Sequence, residues 1–169
     1  MKSALVVALL TLTTVGCGKS EERTIAPVSI QALLALLPEP FDWQRERPTG
    51  ERVTTPVAFA DASVRMMKGD ATVTAKITDT GRNQALVEPF AAALAGDFTR
   101  ETEHGYEKSI AIGDARGVER WDSGTKTGNL SIVVARRFVV EIDGSTIDSP
   151  KVLHDILDKI DLKKLADLK

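Results

Sequence analysis

Cys17 is the single cysteine of the 169-residue chain, and His104 and His154 are its two histidines. Zinc takes four nitrogen or sulfur ligands, or three with an open position. The histidines stand fifty positions apart, one in a polar loop and one in a C-terminal helical stretch, and need carboxylates such as Glu103 to complete a site. Solvated side chains are the expectation for both. A Gly-x-Ser-x-Gly nucleophile turn is absent, and Asp122-Ser123-Gly124 reads as a hairpin turn instead. No stretch spaces glycines and a lysine as a phosphate loop does; Gly113-Asp114-Ala115-Arg116-Gly117 lies between strands rather than ahead of a helix. The 24 acidic side chains pair in many ways, none privileged. No catalytic residue, metal or cofactor is therefore assigned, and an enzyme with an unrecognised carboxylate site ranks last among the readings. Arg136-Arg137 is the candidate contact for an anion or a partner's carboxylates; the alternative is a turn with alternating exposure.

The segment ending at Cys17 explains why that thiol is isolated. MKSALVVALLTLTTVGC places Lys2 ahead of a small and apolar run, Ala4 to Val15. That run is too short to cross a hydrocarbon core, which needs about 20 residues, and it fits an export signal over residues 1–16. Thr14-Val15-Gly16-Cys17 resembles the bacterial lipoprotein signal, in which a small residue precedes a cysteine that becomes the lipidated first residue. The resemblance implies diacylglycerol, and usually a third acyl chain, on Cys17. Two or more chains hold firmly where one holds reversibly. It also implies a cell-envelope protein anchored to a membrane. Gly18 stands where an aspartate favours inner-membrane retention in double-membraned enteric bacteria, so the outer membrane is favoured if there is one. The other reading is an ordinary signal cleaved elsewhere, which leaves Cys17 as a free thiol.

Without residues 1–16 the chain keeps 153 residues and loses one basic side chain, so its formal charge moves from −2 to −3. This is one domain's length, held without a disulfide. The dispersed acidic balance argues against nucleic acid, which requires a concentrated basic surface. Residues 17–28 read as the lipidated cysteine and a short polar tether, and 29–169 as the globular domain.

Within that domain Ser29 caps a helix whose Ile30, Leu33, Leu34 and Leu37 share a face; the face packs on the domain or, alternatively, on a membrane or partner. Pro38 and Pro40 end it. Phe41 and Trp43 begin the sheet or cover its end, and a strand region runs from Val53 to Met67, with Met66 and Met67 on opposite faces. Gly69-Asp70 turns the chain into a strand from Ala71 to Asp79 with alternating apolar residues. A helical segment from Asn83 to Leu94 starts or kinks at Pro89 and stops at Gly96. Five short strands follow, 98–103, 106–112, 116–122, 129–135 and 138–143, as an antiparallel meander. The first is polar enough for an edge, and the last two are apolar enough for the centre. A helix from Pro150 to Lys169, capped by Ser149, closes the chain, with Asp161 starting a separate final turn. Trp43 and Trp121 read as core, or as the lining of a ligand pocket.

This order is α+β: one domain with an antiparallel sheet of about 5–7 strands and helices packed on it, including the C-terminal one. The element order, with a proline and tryptophan near the first strand, is similar to the PsbP-like group. That resemblance implies a sheet with helices on its faces and leaves the role open, since fold does not carry function. The leading expectation is a non-catalytic envelope lipoprotein that binds a protein or stabilises an assembly. The alternative is a carrier or sensor of a small apolar ligand, held between the sheet and the Ile30–Leu37 or C-terminal helix.

Overall fold

The computed structural model describes residues 25–169; the Met1–Cys17 segment lies outside them. Ser29 Oγ accepts from Ala32 N and opens α1 (Ile30–Leu34). Then come β1 (Gln44–Arg45), β2 (Thr49–Val53), β3 (Phe59–Lys68) and β4 (Ala71–Asp79). A broken helical path follows, in which Pro89 turns the middle into a 3₁₀ turn (Glu88–Phe90) between α2 (Gln84–Val87) and α3 (Ala91–Ala95). The meander is β5 (Thr99–Thr102), β6 (Gly105–Ile112), β7 (Ala115–Asp122), β8 (Thr127–Val134) and β9 (Phe138–Ser145), and α4 (Lys151–Leu157) and α5 (Leu162–Ala166) end the chain.

All strand pairings are antiparallel, in the order β1-β3-β4-β9-β8-β7-β6-β5, with β2 also on β3. The α+β class holds, and the sheet is larger than 5–7 strands: it has nine. The two beyond the sequence reading are β1, of two residues, and β2, whose polar Thr49-Gly50-Glu51-Arg52 is exposed along the β3 edge. Neither carries the apolar alternation that marks a half-buried strand. The apolar β8 and β9 are central and the polar β5 is an edge, as their compositions require.

Register puts Val64, Ala75, Ile142 and Leu130 on one face, and the next row adds Ala62, Ile77, Val140 and Ile132. Leu33, Leu36 and Leu37, from α1 and the turn after it, Leu153, Ile156 and Leu157 of α4, and Leu165 of α5 close over that face, each at most 5% exposed. The leucine-rich face of α1 therefore packs on the domain. The space between the sheet and these helices is filled with side chains. On the other face Val118, Val133 and Val139 form a smaller buried patch at the end where α3 lies against β7. Two boundaries differ from expectation. Pro150, not Ser149, holds the cap position of α4, and no side chain caps it; Asp161 does cap α5, accepting from Lys164 N at 2.8 Å.

The second boundary is the start of the domain. Val28 belongs to the core, so Ile25–Val28, read from sequence as the tether's end, are part of the fold. They are held by Asp79, which is fully buried at the end of β4. Its carboxylate accepts from Val28 N at 2.8 Å and Gly81 N at 2.9 Å, and from Arg137 Nε and Nη2 at 2.9 and 2.7 Å. Arg137 also donates to the Leu168 carbonyl at 3.1 Å and stacks 4.8 Å from the Phe138 ring. Gly81 has φ +58°, and a Cβ there would meet the Ile25 carbonyl oxygen at 2.4 Å, so only glycine lets the N-terminal segment lie so close.

The core residues fall between Val28 and Leu165, and among the described residues no buried side-chain nitrogen or oxygen lacks a partner. No helix among the described residues is long and apolar enough to cross a membrane. Removing one partner of a buried charge pair leaves the other uncompensated. Asp79→Ala is expected to lower the unfolding free energy by about 3–5 kcal/mol in urea denaturation; a loss under about 1 kcal/mol would contradict the role given to this pair.

Candidate functional site

Along β7 the side chains Ala115, Glu119 and Trp121 share the face covered by the helices. A glutamate at an inward strand position costs free energy unless its oxygens are paired. The pairing comes from three elements, and glycines determine where one of them sits. Gly128 and Gly144 are cross-strand partners on β8 and β9, and together they leave a depression in the sheet. Leu153 of α4 seats there, its two methyl carbons 2.9 and 3.0 Å from where the glycines' Cβ atoms would be. That contact places α4 so that His154, the next residue, reaches β7.

The result is a buried carboxylate with three donors. Glu119 is 1% exposed; its Oε2 accepts from His154 Nε2, and its Oε1 accepts from the Tyr106 hydroxyl and lies 3.1 Å from Lys108 Nζ. The Lys108 ammonium also sits 4.7 Å from the Tyr106 ring centroid. Burial works against the charge on Glu119, but the phenol, the imidazole and the ammonium outweigh it and hold the carboxyl below its ordinary pKa. Tyr106 is pushed the other way, by burial and by its bond to the same carboxylate, so it stays a protonated donor. An ionised carboxylate accepts only, so His154 Nε2 carries the proton in this contact. The three donors reach solvent and the carboxylate does not.

Chemically, the arrangement fastens α4 to β6 and β7. A general base must reach the proton it abstracts, and Glu119 is turned inward onto its own donors. Outside it lies a groove of about 440 Å³ whose lining includes Thr99, Glu101, His104, Tyr106, Lys108 and Trp121. Among the described residues no group of three or more His, Cys, Asp or Glu side chains is placed to hold a metal. His104 is exposed and 3.8 Å from Glu103, whereas His154, read from sequence as solvated, is half-buried and bound to Glu119. Trp43 and Trp121 both pack against the core.

Arg136 and Arg137 separate. Arg136 is exposed on the β8–β9 turn and lines a hollow with Arg82, Val87 and Leu94. Arg137 is 5% exposed, and the anion it meets is the chain's own Asp79. Cys17 lies outside the described residues.

The opposite face of the sheet carries a polar row that sequence did not single out. Register aligns Arg65, Thr74, Asp143, Asn129, Arg120, Glu107 and Arg100 across seven strands. Asn129 donates to Asp143 at 2.8 Å, Arg120 donates to Glu107 at 3.0 Å, and Arg100 pairs with the same glutamate. In the neighbouring row Lys76 lies 2.9 Å from Asp61; burial opposes its charge, but Asp61, Glu141 and Glu51 outweigh that and raise its pKa. Glu141 is raised as well, by burial and by Asp143, with Lys76 only partly offsetting them.

Comparison with known proteins finds no matching family model, curated protein or solved structure.

The two glutamates have opposite pH signatures. Glu119 is lowered on folding, so its stabilisation is present above the unfolded value, near 4.5, and is lost as pH falls through the folded value. Glu141 is raised, so it weakens the fold at neutral pH, and that cost is relieved as pH falls through its folded value. Glu119→Gln is expected to cost about 2–3 kcal/mol at pH 7, and Glu141→Gln to stabilise. The Glu119→Gln cost should shrink as pH falls through and below about 4.5, whereas the Glu141→Gln gain should shrink earlier, as pH falls toward about 4.5, in denaturant titrations. Equal signs for the two variants at pH 7 would refute the assignment.

Proposed function

We propose that this chain is a lipid-anchored protein of the cell envelope whose domain binds another envelope protein without catalysing a reaction. The observation that carries the binding half is the bare face of the sheet. A nine-stranded sheet has its helices concentrated on one face, and across most of the other runs a polar row from Arg65 to Arg100, hydrogen-bonded from Asp143 through Asn129, Arg120 and Glu107 to Arg100. The bonded groups are held in place by their neighbours before any partner arrives, which lowers the ordering cost of association. Charges of both signs in register favour a partner surface of complementary pattern over a uniformly charged polymer.

The anchoring half rests on Cys17 at the end of its apolar run. Ile25 enters the domain beside Gly81, through its N–H to the Gly81 carbonyl at 2.9 Å, so a tether from Cys17 joins at the end of the sheet where Arg136 is exposed. Arg136 keeps the role of an anion or partner contact at that end, and Arg137 serves the fold. The alternative, a small apolar ligand beneath α1 or α4, draws less support because Leu33, Leu153 and Ile156 fill that space.

Photocrosslinking in intact envelopes tests the reading. A crosslinker at Thr74, on the bare face, is expected to give a discrete adduct to a second protein, and one at Lys163, exposed on α5, is expected to give none. Adducts from Lys163 alone, or from neither, would overturn the assignment of the face. Cys17→Ser is expected to move the protein out of the membrane fraction or to stall its maturation; unchanged fractionation and migration would overturn the anchor.

A further inference from the structure

Phe41 contributes nothing to the fold. Its relative exposure is 104%, the highest of the large apolar side chains exposed among the described residues. Single exposed apolar residues are common on protein surfaces. Phe41 differs from a stray one in how it is mounted and in what lies beside it.

The mount is stiff. Phe41 follows Pro40 in a turn closed by Trp43 N donating to the Pro40 carbonyl at 3.4 Å. The carboxylates on either side are neutralised within the chain, Asp42 by Lys68 and Glu39 by Arg45 at 3.1 Å. Beside it is a hollow of about 320 Å³ lined by the flanking Pro40, Asp42 and Trp43 and, across from them, by Ile147, Val152 and Ile156. Phe41 itself stands outside it. One patch therefore presents an aromatic knob and, next to it, an apolar-floored socket.

We propose that the chain pairs with a second copy of itself about a two-fold axis, each Phe41 entering the other's hollow beside α4. A knob and its socket on the same patch satisfy each other reciprocally under two-fold symmetry, so the contact closes at two copies. The rim favours a copy of the same chain over a partner of one charge. It carries both signs, in the pairs Asp42–Lys68, Lys126–Asp148 and Lys151–Asp155, and Lys159 lines the hollow as well. Ala71, at the start of β4, also lines the hollow, whereas Ile25 meets the chain past the end of β4, roughly 26 Å away at a strand's rise per residue. The segment before Ile25 therefore joins the domain far from this patch. The inference does not rest on the anchor or on the bare face of the sheet.

Sedimentation equilibrium of the full chain in a density-matched detergent tests it, over about 1 μM to 1 mM, the range in which weak to ordinary contacts dissociate. The expected result is a monomer–dimer equilibrium within that range. Phe41→Ser should weaken it about tenfold or more while leaving the unfolding midpoint unchanged at concentrations where the chain is monomeric, since the side chain touches nothing in the monomer. Val152→Arg, which blocks the socket, should weaken it likewise. An equimolar mixture of the two variants should associate more tightly than either alone, because one intact knob then meets one intact socket. A monomer throughout the range, a dimer indifferent to Phe41→Ser, or a mixture no tighter than its components would each overturn the proposal.

Discussion

Both ends of the domain are fastened to one carboxylate. Asp79 takes two bonds from Arg137, one from Val28 and one from Gly81, and Arg137 passes the connection on to the Leu168 carbonyl. Taking both charges out of water costs several kcal/mol per ion, so such a pair is weak evidence of net stability. What it does supply is position. An apolar contact at this site would tolerate sliding, whereas a bidentate guanidinium and two backbone donors fit in one arrangement. That arrangement brings the first described residues to the same end of the sheet as the C-terminus and the β8–β9 turn, so a tether would leave from there.

A second buried carboxylate does comparable work across the helix layer. Glu119 joins β7 to α4 through His154 and to β6 through Tyr106 and Lys108, and the glycine pair under Leu153 decides where α4 lies. With the helices concentrated on one face, the other is left with its row of paired charges. The division of labour follows: one face of the sheet is spent on the core, and the other is presented already ordered.

How much of this was legible in the sequence depended on whether a signal was local. The alternation in Ala71–Asp79, the Gly69-Asp70 turn, the Ser29 cap and the breaks at Pro89 and Asp161 are each written within a few residues, and each appears where read. The strand β2 was missed because Thr49-Gly50-Glu51-Arg52 at a solvent edge has no buried face to impose a period. The partners of Glu119 were missed for another reason. His154 is 35 positions away, and only the register of β6 on β7 and the seating of α4 bring the four side chains together. The available hint was a glutamate in step with Ala115 and Trp121, and Val118 on the other parity made that step ambiguous. Arg136-Arg137 could be read as an anion contact or as a turn with alternating exposure, and the alternation is what is found, but no local sign told that Asp79, 58 positions back, receives Arg137.

The proposed anchor at Cys17 would set the compartment in which the bare face meets a partner, and its chemistry admits a direct measurement. Intact mass spectrometry of the chain extracted from membranes, followed by fragmentation of its first peptide, reads both the first residue and what it carries. A chain beginning at Cys17 with a diacylglyceryl group on sulfur is the result this account predicts. A chain that begins elsewhere, or that carries Cys17 as a free thiol, would contradict it.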